Sequence, residues 1–266
     1  MEGKTKDLIS IVVPVYNGER FLQDTFDSIR NQTYKNYELI VADGASKDGT
    51  MNIIKSNLDI ISTFISEPDS GMYDALEKGF GLSTGTYMCY INSDDRLAPD
   101  ALELVYKAFK SSGGDLVFGH VNYISESGEV IYRYLSQNLP ALAIRYMRRL
   151  PFAQQSTFWT RDLYNRIGGF DRSLKYVADS KFLITAYLDN KAKRSRVNAV
   201  LGEFRMHSDS LSIGSFEKML KETDHLKANH PGLRDNRILR GVFEIANKLY
   251  NIRGVYKKLR YKGPKL

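Results

Sequence analysis

Short apolar runs alternate with amphipathic helical segments along the first 110 residues of the chain. The runs that suit buried strands span residues 8–13, 37–42, 60–66 and 87–91. Apolar residues at helical spacing follow each of them, at 19–31, 50–58, 72–79 and 99–110. This alternation predicts a parallel sheet with crossover helices. Beyond Gly113 and Gly114, residues 116–123 and 130–134 predict a hairpin, so we expect the sheet to become mixed.

Length and composition favour one main core. With 266 residues and 42% hydrophobic content, the chain suffices for one sizeable α/β domain plus a C-terminal appendage. The single cysteine, Cys89, lies inside an apolar run and excludes an intramolecular disulfide, which favours a reducing compartment. Residues 1–7 lack the apolar core of a signal peptide, and no run approaches the roughly 18 apolar residues of a membrane span. We therefore expect a cytoplasmic or peripheral protein.

The C-terminal tail is basic, whereas the rest of the chain is nearly neutral. Residues 234–266 hold ten Lys or Arg against Asp235 and Glu244, and the whole chain carries a net charge of +7. Apolar residues recur in the tail at helical spacing: Val242, Ile245, Ala246, Leu249, Ile252, Val255, Tyr256 and Leu259. Such a helix can lie on an anionic membrane, or its apolar stripe can dock on the domain's own core. Nucleic acid is not an expected partner, because no nucleic-acid-binding signature accompanies the charge.

Polar side chains follow three of the predicted strands at their C-terminal ends. Asp94 and Asp95 come just after the apolar run 87–91, and adjacent carboxylates need a cation or a ligand to offset their repulsion. Segments 14–18 and 43–50 follow the first two strands, so all three loops open into the crevice where open α/β sheets bind ligands. An aromatic ring and a carboxylate there suit a nucleoside, although ordinary turn chemistry also explains each loop by itself. Together the strand ends point to chemistry on a phosphorylated substrate.

Three segments of the first half carry a recognisable pattern. They are SIVVPVYNGERFLQDTFDSIRNQTYKNYELIVADGASKDGT at 10–50, SEPDSGMYDALEKG at 66–79 and TGTYMCYINSDDRLAPDAL at 84–102. In this order they closely resemble glycosyltransferase family 2, in particular enzymes of bacterial O-antigen, capsule and exopolysaccharide biosynthesis. The resemblance implies the α/β GT-A fold, a Rossmann-like mixed sheet flanked by helices, here with a basic helical extension at the C-terminus.

The same resemblance implies a chemistry and a division of the chain. It implies a nucleotide-diphosphate sugar donor, with UDP as the expected nucleotide, a Mn²⁺ or Mg²⁺ cofactor, and inversion at the anomeric carbon. Residues 1–214 would form the GT-A domain, in which 1–112 bind the nucleotide sugar and 113–214 bind the acceptor. Residues 215–266 would form the C-terminal extension.

Carried over residue by residue, the resemblance assigns a donor site. Pro14 and Tyr16 would line the nucleobase, and Asp43 would hydrogen-bond it alone, since Gly44 stands where many members have a second Asp. The other expected contacts are Glu19 near the ribose, Asp69 at the nucleotide, Lys78 at the diphosphate and Asp94 at the ribose or sugar. For Asp69 and Lys78, a helix cap or a solvated surface charge is an equal alternative.

The resemblance also assigns a cation site. Asp95 would ligate the metal, and His207 could complete its shell or contact the diphosphate. A hard cation with oxygen ligands stabilises the charge that develops on a leaving diphosphate. Alternatively, Asp94 and Asp95 cap the turn before Pro99, and His207 belongs to an ordinary polar loop without a metal.

The acceptor side lies in the segments PFAQQSTFW at 151–159 and IGGFDRSLKYVADSKFLI at 167–184. They resemble the family region that carries the catalytic base, which makes Asp179 the expected base for the acceptor hydroxyl. An N-terminal helix cap is its alternative role. Gln155 is expected to hydrogen-bond the sugar, beside Gln154, which stands where relatives often have His.

The sequence thus predicts an inverting, metal-dependent glycosyltransferase that moves one sugar from a nucleotide-diphosphate sugar to a lipid-linked glycan at the inner face of a bacterial membrane. A sugar nucleotidyltransferase is a weaker alternative, because segment 14–18 lacks the Gly-rich basic loop that it needs. A noncatalytic nucleotide-sugar-binding or membrane-scaffold protein is another, although simple binding has no use for a base at Asp179.

Overall fold

The computed structural model describes residues 7–210 and 214–260. The strands in these ranges are β1 Ile9–Val15, β2 Tyr37–Asp43, β3 Thr63–Ser66, β4 Tyr87–Tyr90, β5 Arg96–Leu97, β6 Leu116–Ile124, β7 Val130–Tyr134, β8 Thr157–Thr160 and β9 Arg194–Arg205. The α-helices are α1 Leu22–Arg30, α2 Thr50–Ser56, α3 Met72–Leu82, α4 Ala101–Ser112, α5 Ala141–Met147, α6 Arg161–Ile167, α7 Ala178–Leu188, α8 Phe216–Asn229, α9 Arg237–Tyr250 and α10 Ile252–Arg260.

All nine of these strands belong to one sheet. Their order is β3–β2–β1–β4–β8–β6–β9–β5, with β7 paired to β6. The pairs β1–β2, β1–β4 and β2–β3 are parallel, as the alternation of strands and helices predicts. Val15 pairs with Asp43, and Asp43 pairs with Ser66, so the strand ends that carry the polar loops meet at one edge.

The second half of the sheet is mixed, as expected. Strand β8 runs antiparallel to both β4 and β6, whereas β6 and β9 are parallel. The predicted hairpin is confirmed as the antiparallel pair β6–β7. Antiparallel β8 therefore joins the parallel half to the region that follows Gly113.

Strands β1, β4 and β6 at the centre of the sheet are buried on both faces, because helices cover each face there. Along β1, Val12 packs into one core cluster, whereas Ile11 and Val13 pack into the other. Trp159 lies in the first cluster, so it is a core residue. Cys89 is buried in the second, and burial raises the pKa of its thiol far above the ordinary value.

Several elements begin later than the sequence pattern predicts. The first helix begins at Leu22 rather than at residue 19, because Glu19 belongs to the loop that contacts segment 46–50. The third strand begins at Thr63, since the chain turns after α2 and Ile60 N bonds to Asn57 O.

The tail forms two helices, and its polar side faces the domain. Asn251 is buried, with its side-chain oxygen accepting from Leu135 N at 2.6 Å, and Asn247 is buried beside Tyr134. The exposed apolar side chains include Ile238, Val242, Ile245, Leu249, Ile252, Tyr256 and Leu259. Docking of the apolar stripe on the domain's own core is therefore wrong, because the two asparagines occupy that side.

Across residues 7–210 and 214–260, no helix combines the length and the apolar character that a membrane span requires. The division of the chain into 1–214 and 215–266 stays a prediction.

Candidate active site

Hydrogen bonds join the loops after β1 and β2 into one wall of a crevice. Asn17 N donates to Ser46 Oγ at 2.8 Å, and Lys47 N donates to Asn17 Oδ1 at 2.8 Å. Gly18 N donates to Thr50 Oγ1 at 2.8 Å. Because the backbone of each loop bonds to the other, the two loops hold a fixed relative position.

Asp43 ends β2 with a buried side chain. Its carboxylate accepts from the backbone N and the hydroxyl of Ser46, and from Ser66 Oγ at 2.6 Å. These serines fix the carboxylate with three donors, of which Ser46 N is shared between the two oxygens, so the roughly four lone-pair sites leave room for one further donor.

Tyr16 and Asp69 approach each other over Gly44. A Cβ on Gly44 would lie 2.5 Å from Asp69 Oδ2 and 3.4 Å from Tyr16 Cδ2. The Tyr16 ring is 63% exposed, so one face is free for a planar group. Pro14, by contrast, is buried in β1 opposite Ala42, so it shapes the strand end rather than an open wall. A side chain at position 44 would displace Asp69.

Glu19 and Lys78 each have a partner within the protein. The Glu19 carboxylate accepts from Gly49 N, which links the first two loops again. The Lys78 ammonium lies 2.8 Å from the Glu67 carboxylate and donates to Pro68 O at 3.0 Å. The expected contacts of Glu19 with ribose and of Lys78 with diphosphate stay predictions.

The turn after β4 brings Asp94 against His207, which lies in the loop after β9. Asp94 Oδ2 and His207 Nε2 are 2.8 Å apart. The His207 ring packs on Phe21, with ring centroids 4.8 Å apart, and is almost fully buried. Within the described ranges, His207 Nδ1 is buried without a hydrogen-bond partner. The Asp94 side chain keeps 25% exposure, so it faces the crevice.

Asp95 is fully buried directly behind this pair. Its carboxylate accepts from Arg205 N at 2.9 Å, Asn92 Nδ2 at 3.0 Å and Gln155 Nε2 at 3.1 Å. Burial, and secondarily the charge of Asp94, raises the pKa of Asp95 well above its ordinary value. The resemblance assigns Asp95 to the metal and Gln155 to the sugar. The two side chains are hydrogen-bonded to each other.

Arg205 organises this region and was not singled out by the sequence reasoning. Its buried guanidinium donates to Asp94 O at 2.8 Å and to Asp24 Oδ2 at 2.9 Å, as well as to Glu126 O. It also stacks 4.7 Å above the Phe21 ring. An arginine in the last strand, two residues before His207, is the signal that could have found it.

Asp179 lies in the first turn of α7, and two tyrosines point their hydroxyls at it. Tyr73 OH donates to Asp179 Oδ1 at 2.9 Å, and Tyr90 OH donates to Oδ2 at 3.4 Å. Ser180 N also donates to Oδ1, but the helix begins at Ala178 with Val177 as its N-cap residue, so the alternative N-cap role of Asp179 is wrong. Burial raises the pKa of Asp179, and the three donors oppose that shift. Neither tyrosine was among the predicted site residues.

A short 3₁₀ helix, Gln154–Ser156, connects the acid pair to Asp179. Gln155 bonds to Asp95, and Gln154 Nε2 donates to Tyr90 O at 2.9 Å. Gln154 and Asp179 also line one cavity of about 240 Å³. The predicted donor and acceptor residues are thereby linked through adjacent side chains.

A divalent cation fits the acid pair only with ligands from a substrate. Among the described residues, no group of three or more His, Cys, Asp or Glu side chains is arranged to hold a metal ion. Asp94 and His207 offer an oxygen and a nitrogen 2.8 Å apart at the crevice, and Asp95 lies behind them. Diphosphate oxygens and water commonly complete such a shell for Mg²⁺ or Mn²⁺.

The sequence matches the family model described as "Glycosyl transferase family 2" over residues 10–171. A PGL/p-HBAD biosynthesis glycosyltransferase of Mycobacterium bovis is 31% identical over 233 residues, which cover 82% of this chain and 86% of that protein. Glycosyltransferase GlyA of Streptococcus pneumoniae is 33% identical over 131 residues, which cover 48% of this chain but only 19% of GlyA.

Two solved structures share the fold at low identity. S. aureus TarS 1–349 in complex with UDP-GlcNAc has a TM-score of 0.68 and 16% identity, covering 96% of this chain and 76% of that one. Mannosyltransferase PcManGT from Pyrobaculum calidifontis, in complex with GDP-Man and Mn²⁺, has a TM-score of 0.60 and 16% identity, covering 94% and 74%. The expected GT-A fold is confirmed. The chain belongs to glycosyltransferase family 2 and is a glycosyltransferase.

Proposed function

We propose that the protein transfers a single sugar from a nucleotide-diphosphate sugar, with UDP as the nucleotide, to a lipid-linked glycan, with inversion at the anomeric carbon. The observation that carries this proposal is the chain of contacts from Asp95 through Gln155 and Gln154 to the cavity that holds Asp179. This chain of contacts connects Asp94 and Asp95, whose carboxylates suit a cation, with Asp179, whose carboxylate can act as a base.

The loops after β1 and β2 bind the nucleotide in this proposal. Tyr16 stacks on the base, and Asp43 accepts its imide hydrogen bond, while the Ser46 and Ser66 hydroxyls hold the carboxylate in place. Asp69 lies beside Tyr16 and contacts the nucleotide from the other side of Gly44. Complexes of TarS with UDP-GlcNAc and of PcManGT with GDP-Man support a nucleotide-sugar donor in this fold.

Asp94, Asp95 and His207 would hold Mn²⁺ or Mg²⁺ together with the diphosphate. Bound there, the cation would supply positive charge to offset the charge of a departing diphosphate. Asp94 also contacts the ribose or sugar, because its carboxylate is the more exposed of the acid pair. Gln155 positions Asp95, and Phe21 fixes the plane of the His207 ring.

Asp179 acts as the base. It takes the proton from the acceptor hydroxyl as that oxygen forms a bond to the anomeric carbon, and the nucleotide diphosphate leaves from the opposite face. A raised pKa makes this carboxylate a stronger proton acceptor than an ordinary one. The pKa values of Tyr73 and Tyr90 are also raised, so both hydroxyls stay protonated and orient the carboxylate.

The outward face of α9 and α10 supports a position on the inner face of the cytoplasmic membrane. Val242, Ile245 and Leu249 are exposed, and Lys248, Arg253 and Lys257 lie exposed on the same two helices. An apolar stripe flanked by basic residues suits the interface of an anionic bilayer. A lipid-linked acceptor would be presented at that surface.

A panel of UDP-glucose, UDP-galactose, UDP-GlcNAc and GDP-mannose with Mn²⁺ or Mg²⁺ tests the proposal. We expect one UDP-sugar to raise the Tm only when the cation is present, and to be hydrolysed slowly with release of the inverted sugar. Thermal shift and proton NMR of the anomeric product measure these outcomes. Hydrolysis with retained configuration would contradict inversion, and equal stabilisation by a UDP-sugar without the cation would contradict the metal dependence.

A further inference from the structure

A second cavity, of about 390 Å³, lies between the β6–β7 hairpin and helices α9 and α10. Three tyrosines line one side, Tyr123, Tyr132 and Tyr134, and three basic side chains line another, Arg149, Lys248 and Lys258. Glu and Asp are absent from its lining residues in the described part of the chain. A cavity with three cations and no counter-charge suits an anionic group.

The basic side chains of this cavity are largely free of acidic partners. Within residues 7–210 and 214–260, Lys248 and Lys258 form no salt bridge, and Arg149 only approaches Glu244, with Nε and Oε1 4.0 Å apart. Partial burial lowers the pKa of Lys258, because the ammonium loses solvent without gaining a carboxylate. A bound phosphate would supply the missing negative charge.

The tyrosine side of the cavity is rigid and flat. Tyr123 and Tyr132 stack with ring centroids 4.3 Å apart and an angle of 11° between the rings. The Tyr134 hydroxyl lies 3.4 Å from Asn247 Oδ1, which ties the hairpin to α9. Aromatic faces and hydroxyls suit the sugar or the lipid next to a phosphate.

The cavity adjoins both the base and the apolar tail. Arg149, Leu150 and Phe152 line this cavity and also the cavity that holds Asp179. Beside α10, an open groove of about 710 Å³ is lined by Ile131, Ile252 and Tyr256 along with three basic residues. The residues of α10 that line the groove and those that line the cavity lie on opposite faces of the helix, so the groove can hold an apolar chain only outside the cavity.

We propose that the cavity binds the phosphate or diphosphate of a lipid-linked acceptor through Arg149, Lys248 and Lys258, so that the acceptor sugar reaches Asp179. This inference rests on the proposed function and names the acceptor class for the same active site. Farnesyl diphosphate is a suitable soluble probe, because it combines an isoprenoid chain with a diphosphate.

Calorimetric titration of the full chain, with UDP and Mn²⁺ saturating the donor site, tests the proposal. We expect farnesyl diphosphate to bind, and the double variant Arg149→Gln/Lys258→Gln to weaken it at least about 10-fold. Lys221→Gln, an exposed change on α8, is the matched control and should bind like the parent. Lys258→Arg keeps the charge and should retain most of the affinity, which separates a lost charge from a misfolded tail.

Three outcomes overturn the proposal. Unchanged affinity in the double variant would remove the cavity as the site, and equal binding of farnesol would remove the phosphate from recognition. Pyrophosphate that binds as tightly as farnesyl diphosphate would indicate a site for free phosphate rather than for a lipid. UDP affinity, measured separately, should be the same in all variants, and its absence in the parent would count against the proposed donor instead.

Discussion

His207 Nε2 lies 2.8 Å from Asp94 Oδ2, although the two residues are 113 positions apart in the chain. Strand β9 and the turn after β4 bring them together, and Arg205 N fixes Asp95 behind them at 2.9 Å. The Phe21 ring contacts both His207, the partner of Asp94, and Arg205, the partner of Asp95. The acid pair is therefore part of a closed network that includes the last strand.

Replacement of His207 tests whether the imidazole contributes to cation binding. We expect His207→Ala to weaken Mn²⁺-dependent UDP binding at least about 10-fold, because one nitrogen ligand is lost. Titration of UDP at several Mn²⁺ concentrations measures the effect. His225→Ala, on the exposed side of α8, is the control. An unchanged Mn²⁺ dependence would remove His207 from the metal shell.

Asp179→Asn should separate binding from chemistry. The amide keeps the size of the side chain but cannot accept the acceptor proton, so transfer should fall at least about 10²-fold. Donor affinity should stay within error of the parent, since the proposed function places Asp179 at the acceptor rather than at the donor. Rates of UDP release with acceptor and UDP titrations give the two readouts. Equal transfer by the variant and the parent would exclude Asp179 as the base.

Tyr73→Phe should shift the pH dependence of transfer upward. The Tyr73 hydroxyl stabilises the ionised form of Asp179, so its removal raises the pKa of that carboxyl further. The base works only when ionised, and activity is therefore lost as pH falls through this pKa. The acidic limb of kcat/KM should move to higher pH in the variant. Tyr87→Phe, in which the ring stacks on Phe109, should leave the limb in place.

Arg205→Met should destabilise the fold. The change leaves Asp94 O and Glu126 O without this donor, at a cost of about 2–3 kcal/mol in the free energy of unfolding. Asp24 adds little, because its carboxylate is half exposed. Urea denaturation measures the loss, with exposed Arg253→Met as the control. Equal stability of both variants would contradict the assigned role of Arg205.

Leu249→Glu should reduce binding to vesicles that contain anionic lipid. The leucine is 62% exposed on α9, so the change places a charge in the proposed interface without opening a core cavity. Cosedimentation with phosphatidylglycerol vesicles should show at least about a 10-fold weaker partition. Leu82→Glu, at the exposed end of α3, is the control. Equal vesicle binding by the parent and Leu249→Glu would remove this face from membrane contact.

Local patterns were enough for β1, β2 and β4, for their polar ends and for the position of the acid pair. Apolar runs predicted β1, β2 and β4, and the residues that follow them lie at one edge because parallel strands share a direction. The partners of those residues were less accessible to sequence reasoning. The sequence pattern places Tyr73 in a helix and Tyr90 in a buried strand, but it does not predict that both hydroxyls donate to Asp179.

The sequence by itself determined the alternation of strands and helices, the family and the acidic and aromatic residues of the crevice, since these are encoded by neighbours along the chain. Only the tertiary structure decided that Gln155 holds Asp95, that Arg205 lies beneath the acid pair, and that Asn247 and Asn251 turn the tail's apolar stripe outward. An amphipathic period specifies two faces of a helix, but the surface against which the helix packs decides which face is buried.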